Sequence, residues 1–221
     1  METTALSIAC DLVRPNDSVV DIGAGIYQGG VEYITPLLKR VGVSGKVYAI
    51  DPFNLPEYDF PNLIKINRPV WSKTSNIKSN ILFPIGLKDI SPTQIKDEYE
   101  AITIDDLFPT EDISFMKIDI EGAEAEALKG AKNLIYHNPE LKIILECHWS
   151  LLPKFNTSGG ELWEFINSLG LKISPIRINN SFPALGKQDF FDLAGSHFLL
   201  MKEEANKVYD IRVENDKVRF Y

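Results

Sequence analysis

Two hydrophobic patterns alternate along this chain. Short runs rich in Val, Ile, Leu and Phe predict buried strands, and segments whose apolar residues return every three or four positions predict amphipathic helices. The predicted strands are Ser18–Ile22, Lys46–Ile50, Leu63–Ile66, Phe115–Ile120, Leu141–Cys147, Leu171–Ile176 and Ser196–Lys202, with strand-like pieces at Asn80–Phe83 and Ala101–Ile104. The predicted helices are Thr3–Val13, Gly30–Val41, a segment after Gly122, and a segment opened by Ser158 that ends at Leu169.

Helices between successive strands are typical of an α/β fold, so the pattern predicts a parallel, doubly wound sheet with helices on both faces. The tail Val208–Tyr221 alternates apolar and polar residues, which predicts a β-hairpin around Asn215 and Asp216. No linker long enough to divide the chain is found, so residues 1–221 are predicted to form one domain. The N-terminal helix falls within residues 1–14 and the hairpin within residues 204–221.

The charge balance narrows the range of partners. The 221-residue chain carries a formal net charge of −8, and its hydrophobic fraction of 44% is that of a protein with a packed core. An acidic chain is a poor candidate for binding nucleic-acid phosphates, so no nucleic-acid partner is predicted. No apolar run approaches membrane-spanning length, and the first residues lack a basic leader. With only two cysteines, Cys10 and Cys147, a reduced, cytoplasmic protein is predicted.

The predicted strand Phe115–Ile120 carries charges close to its end, at Lys117 and Asp119, and Glu121 and Gly122 follow directly. A buried charge is costly unless it is paired or used. In open α/β sheets, ligands bind beyond the carboxyl ends of the strands, where Asp119, Glu121 and Gly122 are expected to lie. The segment therefore predicts a functional edge of the sheet.

A glycine turn follows the first predicted strand. Gly23 and Gly25 let the backbone approach a ligand without a Cβ in the way, and Asp51 places a carboxylate at the tip of the next strand, which suits the hydroxyls of a ribose. The dinucleotide fingerprint needs a third glycine where this chain has Gln28, so a nucleoside ligand without a pyrophosphate is favoured over NAD. The alternative is ordinary turn chemistry, both for the glycines and for Asp51 with Pro52.

Taken together, the motifs resemble one family. The order and spacing expected for FkbM-like methyltransferases are found between Ser18 and Trp149, in the segments VVDIGAG, VYAIDP, ITIDDL, FMKIDIEGAEAEALKGA and IILECHW. The KIDIEG segment is specific, whereas the glycine turn is shared by many families. The resemblance implies a class I enzyme with a Rossmann-like, seven-stranded, mostly parallel sheet whose last strand is antiparallel. It also implies S-adenosylmethionine as cofactor and O-methylation, commonly of a sugar or another small hydroxylated metabolite.

The resemblance further implies which residues hold the cofactor. The candidate S-adenosylmethionine-binding residues are Asp21, Gly23, Ala24, Gly25, Asp51 and Pro52. This chain departs from the family where Ile26, Tyr27 and Gln28 follow the glycine turn. A differently shaped loop is therefore expected around the methionine end of the cofactor.

Four side chains beyond two neighbouring strands are the catalytic candidates. Asp119 and Glu121 follow one strand, and Glu146 and His148 lie at the tip of the next. Adjacent strands lie about 4.8 Å apart, so all four can converge on one acceptor. His148 is the preferred base, because the ordinary pKa of histidine lies near neutrality. No metal is predicted, although three carboxylates and a histidine are ligands that a hard cation such as Mg²⁺ accepts.

Each of these roles has a structural alternative. His148 can be packed under Trp149 or bonded to a loop carbonyl, and Asp119 can be held by Lys117 as a structural pair. Glu121 can be an acid that the helix dipole favours. Two other functions also stay open: a nucleoside-binding module without catalysis and, less favoured because of Gln28, an NAD-dependent oxidoreductase. The expected partner is a small hydroxylated acceptor, and a homo-oligomer is left open.

Overall fold

The element order of the computed structural model follows the predicted alternation. It describes residues 2–25, 30–53, 55–83, 95–176, 197–202, 211–214 and 217–220. The helices are α1 Glu2–Leu12, α2 Ile34–Val41, α3 Ser79–Leu82, α4 Ile104–Leu107, α5 Glu124–Lys129, α6 Lys132–His137 and α7 Gly159–Ser168, with a 3-10 helix at Leu152–Phe155. The strands are β1 Ser18–Ile22, β2 Lys46–Ile50, β3 Leu63–Ile66, β4 Ser75–Lys78, β5 Glu98–Ala101, β6 Phe115–Ile118, β7 Lys142–Glu146, β8 Leu171–Pro175, β9 His197–Lys202, β10 Ile211–Glu214 and β11 Lys217–Phe220.

Among the described residues, seven strands form one sheet in the order β3-β2-β1-β6-β7-β9-β8. The strands from β3 to β7 pair in parallel, and β9 runs antiparallel to both β7 and β8. This confirms the Rossmann-like, mostly parallel sheet with an antiparallel last strand. The strand order reverses beside β1, which has β2 on one side and β6 on the other. A crevice for ligands is expected beyond the carboxyl ends of the strands at such a point.

Both faces of the sheet are covered, which explains why its strands are almost continuously apolar. Val20 packs in a core that includes residues of α4 to α7, whereas Val19 and Phe115 pack in a second core with α1 and α2. Side chains two positions apart in a strand share a face, so Asp21 and Lys117 lie on the side of the second core. Two neighbouring strands thus place opposite charges on one face.

The region between β3 and β6 differs from the prediction. Residues Asn80–Phe83, predicted as strand-like, lie mostly in α3, and Ala101–Ile104 is not a strand because β5 ends at Ala101. Strands β4 and β5 form a separate antiparallel ribbon. The Thr103 hydroxyl accepts a hydrogen bond from the Asp106 N–H at 2.9 Å, and this cap starts α4. Short apolar runs do not distinguish strand from helix, and here the cap decides.

Some elements are shorter than predicted where they border the crevice. β6 ends at Ile118, β7 ends at Glu146, and α2 begins only at Ile34. The Asp119 N–H still donates to the carbonyl of Ile22 at 3.1 Å, so Asp119 is the first residue to leave the sheet. Side chains beyond this point are no longer held in the strand alternation.

The C-terminal hairpin is confirmed by β10 and β11, which pair antiparallel with Glu214 opposite Lys217. Its turn at residues 215–216 lies outside the described residues, as does the loop of residues 26–29 that contains Gln28. In the described part of the chain, every helix is too short or too polar to cross a membrane.

Candidate active site

The site lies where four parallel strands end side by side. Ile22 of β1 is paired with Ile50 of β2 and with Ile118 of β6, and Ile118 is paired with Leu145 of β7. The carboxyl ends of these strands are therefore level with one another. The next residues along the four strands are Gly23, Asp51, Asp119 and Glu146.

Gly23 is required by a close backbone contact. The Gly23 and Ala24 N–H groups both donate to the carbonyl of Ile50, at 2.9 and 3.2 Å. Gly23 has a left-handed φ of 81°, and a Cβ added there would lie 1.8 Å from the carbonyl oxygen of Asp119. The turn after β1 can pack against the end of β6 only with glycine at this position.

Asp51 ties the glycine turn to the tip of β2. Its carboxylate is 4% exposed and accepts hydrogen bonds from the Gly25 N–H at 3.1 Å and the Phe53 N–H at 2.8 Å. Ala24 is buried, and Gly25 and Pro52 are half-buried. Asp51 therefore has the turn role that the sequence left open, and its carboxylate lies at the same edge as the glycines.

Lys117 is a buried cation shared by two carboxylates. Its Nζ lies 3.1 Å from Oδ2 of Asp119 and 3.5 Å from Oδ1 of Asp21, and 4.8 Å from the ring centre of Tyr33. Burial raises the pKa of Asp21 although Lys117 opposes it. Burial also acts to raise the pKa of Asp119, but Lys117 and His148 outweigh it and hold that pKa below its ordinary value. The structural pairing of Asp119 with Lys117 is thus present, and Asp119 remains at the edge of the site.

His148 is surrounded by carboxylates. Its Nδ1 lies 3.1 Å from Oε1 of Glu124, and its Nε2 lies 3.5 Å from Oε2 of Glu121 and 3.7 Å from Oε1 of Glu146. Glu124 is completely buried and also accepts a hydrogen bond from the Gly122 N–H at 2.9 Å. This buried carboxylate fixes the imidazole through one nitrogen and leaves the other facing the site.

The charges around His148 change its acid–base behaviour. Burial alone would lower the pKa of His148, but the hydrogen bond and charge of Glu124, together with Glu121 and Asp119, raise it to about 9. Burial raises the pKa of Glu121, and the neighbouring Asp119, Glu124 and Glu146 add to the effect. Glu121 has a left-handed φ of 55°, which is uncommon outside glycine, and its side chain is 67% exposed. Its carboxylate is thereby held at the mouth of the site.

Glu146 has a second histidine behind it. Nε2 of His197 lies 3.0 Å from Oε2 of Glu146, and His197 is only 3% exposed. The contact follows from the register, because β9 inserts antiparallel beside β7 and places His197 opposite Glu146. Without knowledge of this insertion, sequence reasoning assigned His197 only to a strand.

The structure brings the four predicted catalytic residues together; they are Asp119, Glu121, Glu146 and His148. It adds two residues that the sequence analysis did not select, Glu124 and His197. Glu124 had a weak signal, since it follows the KIDIEG segment at the start of a helix. A site of this kind can position a proton acceptor or hold a positively charged group. The catalytic roles themselves remain predictions.

The comparisons with known proteins agree with this architecture. Residues 21–173 match the profile of a family described as the methyltransferase FkbM domain. No curated protein matches the chain. A solved structure of a methyltransferase FkbM from Methylobacillus flagellatus KT superposes with a TM-score of 0.50 at 15% identity, over 88% of this chain and 50% of that one. A SAM-dependent O-methyltransferase from Thermotoga maritima gives a TM-score of 0.45 at 12% identity, over 90% of this chain and 64% of that one. The chain therefore spans between half and two thirds of the length of these two structures.

Proposed function

The chain belongs to the FkbM methyltransferase family, and from this premise we propose that it is an enzyme that moves a methyl group from S-adenosylmethionine to a hydroxyl oxygen of a small acceptor such as a sugar. Family membership supports the reaction class. One observation supports the location of the reaction: a glycine turn with buried carboxylates lies beside a cluster of carboxylates around His148. Cofactor and acceptor would thus meet at the carboxyl edge of the sheet.

The residues at the cofactor end fit a nucleoside-bearing ligand. Oδ1 of Asp21 is buried and has no hydrogen-bond partner among the described residues, although Nζ of Lys117 lies 3.5 Å away. The carboxylate of Asp51 lies at the tip of β2 beside the glycine turn, where it accepts the Gly25 and Phe53 N–H groups, and a carboxylate at this position suits the hydroxyls of a ribose. The residues proposed to hold the cofactor are Asp21, Gly23, Ala24, Gly25, Asp51 and Pro52.

S-adenosylmethionine, when bound, supplies a methyl group whose bond to sulfur breaks as a bond to the acceptor oxygen forms, with the electron pair remaining on sulfur. The chain's own contribution is to hold both reactants in line, which is worth on the order of 7–11 kcal/mol of the barrier. Asp119, Glu121 and Glu146 border the place of the acceptor and are proposed to position its hydroxyl groups.

His148 is the group proposed to take the hydroxyl proton. Its Nε2 faces Glu121 and Glu146, and Glu124 fixes the ring through Nδ1. A positioned base of this kind contributes typically 10²–10⁴-fold to rate. Since its pKa is raised to about 9, the unprotonated imidazole becomes abundant only as the pH approaches that value. Turnover that depends on His148 as base should therefore rise as the pH is raised from neutrality to about 9.

The proposal is tested by separating cofactor binding from turnover. Calorimetry is expected to show heat with S-adenosylmethionine and none with NAD; heat with NAD alone would overturn the cofactor assignment. Transfer of labelled methyl into a mixture of sugars and other hydroxylated metabolites then identifies the acceptor.

His148→Ala and Asp119→Asn are expected to retain S-adenosylmethionine binding while turnover falls by about 10²–10⁴-fold for the histidine variant. The matched control is Glu140→Gln, which alters an exposed carboxylate just before the amino end of β7, at the opposite edge of the sheet from Glu146, and should leave both measurements unchanged. Cofactor binding without any acceptor, in wild type and variants alike, would instead identify a nucleoside-binding module without catalysis.

A further inference from the structure

Three of the side chains at the acceptor end form a set with the geometry of metal ligands. Asp119, Glu146 and His148 each offer one ligand atom, and these three atoms lie within 4.8 Å of one another. Ligands of a transition-metal ion at about 2.0–2.2 Å are separated by at most about twice that distance. The set therefore needs only small side-chain movements to close on one ion.

Each of the three side chains is also held from behind by a buried partner. Lys117 contacts Oδ2 of Asp119 at 3.1 Å, His197 contacts Oε2 of Glu146 at 3.0 Å, and Glu124 contacts Nδ1 of His148 at 3.1 Å. These three partners are at most 4% exposed. Metal ligands are typically oriented in this way, with one atom on the metal and another bonded to an outer residue.

Two buried side chains behind the three candidate ligands have polar atoms without partners. Nδ1 of the buried His197 has no hydrogen-bond partner among the described residues, whereas its Nε2 lies 3.0 Å from Oε2 of Glu146. Oε2 of the completely buried Glu124 also has no hydrogen-bond partner in the described part of the chain. Buried polar groups without partners are uncommon and call for an explanation, of which an ion is one.

The charge balance of the site agrees with this reading. Four carboxylates surround it, and they are Asp119, Glu121, Glu124 and Glu146. Among the described residues, Lys117 is the lysine that contacts this set, through Asp119, and a histidine that binds a metal ion is neutral, so the carboxylates outnumber the positive charges. Negative charge that is removed from water needs a compensating cation.

We infer that Asp119, Glu146 and His148 bind one divalent cation. Two carboxylates and one imidazole suit an ion that accepts both oxygen and nitrogen ligands, such as Mn²⁺. Binding rests on this ligand set alone, whereas the role of the ion rests on the proposed methyl transfer. There the ion orients the acceptor hydroxyl and lowers its pKa, which eases the loss of the proton.

The ion and a proton compete for Nε2 of His148. With the ion bound, His148 is a ligand rather than the base. The partly exposed carboxylate of Glu121, 3.5 Å from the same nitrogen, is then the group that takes the hydroxyl proton. The ion thus decides between two catalytic candidates that both came from the sequence.

The first experiment measures Mn²⁺ binding to the full chain after dialysis against a chelator, by the loss of the free Mn²⁺ signal in electron paramagnetic resonance. One ion per chain is expected. Pulsed measurements should detect coupling to a ¹⁴N nucleus, and this coupling should be absent in His148→Gln. Wild-type protein that binds no Mn²⁺ below millimolar concentration, or binds it without nitrogen coupling, would overturn the site.

The second experiment compares variants. Glu146→Gln and His148→Gln should each weaken Mn²⁺ binding at least tenfold, and Glu124→Gln, which acts through His148, should weaken it by about 10–100-fold. Glu140→Gln should bind as wild type does, because its exposed carboxylate lies before the amino end of β7, at the opposite edge of the sheet from Glu146. Thermal unfolding checks that each variant is folded, and the two ligand variants serve in place of one another if one is not. Unchanged affinity in a folded ligand variant would overturn the site.

S-adenosylmethionine binding, measured on the same samples, separates the two proposals. A chain that binds Mn²⁺ at these residues but not S-adenosylmethionine keeps the cation site and loses the proposed function. If an acceptor that carries an amine is methylated at the same rate with and without chelator, the proposed catalytic role of the ion is overturned. The ammonium group of the acceptor would then supply the positive charge in place of the metal ion.

Discussion

Lys117 is the residue on which the charge balance between β1 and β6 depends. It contacts Asp21 and Asp119, and the pKa of Lys117 is raised because the two carboxylates outweigh burial, which alone would lower it. Removing one partner of a buried ion pair typically costs about 3–5 kcal/mol, because the remaining charge is left uncompensated. We predict a loss of this size in the free energy of unfolding for Lys117→Met, measured by denaturant titration.

The matched control is Lys46→Met. Lys46 also contacts a carboxylate, Glu111 at 2.7 Å, but the two side chains are 48% and 31% exposed, so the contribution of this pair is screened by water. The control should be distinctly more stable than Lys117→Met. Equal losses in the two variants would show that the buried lysine is not needed for charge balance.

His148 makes stability depend on pH in a defined direction. Its pKa is raised in the folded chain to about 9, from an ordinary value near 6.5. Protonation therefore favours the folded state: the contribution is complete below pH about 6.5 and is lost as the pH rises to about 9. We predict this decline in protein stripped of divalent ions, measured as the free energy of unfolding at a series of pH values.

Glu124 is the control for this effect, because its hydrogen bond and charge are the largest of the influences that raise the pKa of His148. In Glu124→Gln the midpoint pH of the His148 imidazole titration, measured by NMR, should be lower than in wild type. The decline in the free energy of unfolding above pH 6.5 should be smaller. An unchanged midpoint would mean that Glu124 does not control the histidine.

The grouping of the candidate residues was predictable where they are close in sequence to a strand end. Asp119 and His148 follow strands that the apolar pattern identified, and parallel strands bring their ends together. His197 was not predictable, because its partner Glu146 lies on a strand that is distant in sequence and the pairing depends on an antiparallel insertion. Glu124 was missed because a glutamate at a helix start is usually a solvated acid, whereas this one is completely buried.

Among the elements, the turn after β1 is fixed by one glycine. In Gly23→Ala the left-handed backbone costs about 1–2 kcal/mol, and the overlap of the new Cβ with the Asp119 carbonyl adds about 1–3 kcal/mol. Gly170→Ala has a similar φ of 72° but meets no atom within 4 Å, so it isolates the backbone cost. We predict that Gly23→Ala is clearly the less stable of the two in denaturant unfolding; equal stability would show that the turn can move away from β6.

Element prediction succeeded where one pattern dominated. β1, β2 and β3 have the predicted bounds, and α7 begins at the capping box of Ser158 and Glu161, whose side chains each bond the other's backbone. The prediction of a strand failed at α3. The short run Asn80–Phe83 carries no periodicity, and its side chains pack against the β4–β5 ribbon, so its conformation depends on tertiary contacts. Local sequence does not contain that information.

At the scale of the whole molecule, the order of strands is the property that local patterns leave open. Alternating strands and helices predict a parallel sheet, but β9 runs antiparallel between β7 and β8. Nothing in the apolar run of β9 marks its direction, because a strand buried on both faces looks the same either way. The resemblance to a family supplied this feature, and the structure confirms it.

A ligand that binds only the folded chain stabilises all of it, so the cofactor proposal has a consequence for the whole molecule. S-adenosylmethionine at 100 times its Kd should add about 2.7 kcal/mol to the free energy of unfolding, and NAD at the same concentration should add nothing. Asp21→Asn removes the charge of a buried carboxylate whose Oδ1 lacks a hydrogen-bond partner among the described residues. If this weakens binding tenfold, the increment at the same concentration falls to about 1.4 kcal/mol. The increment is measured within each variant, so any change that the substitution makes to the unliganded fold cancels. An increment in Asp21→Asn as large as in wild type would place the cofactor away from the end of β1.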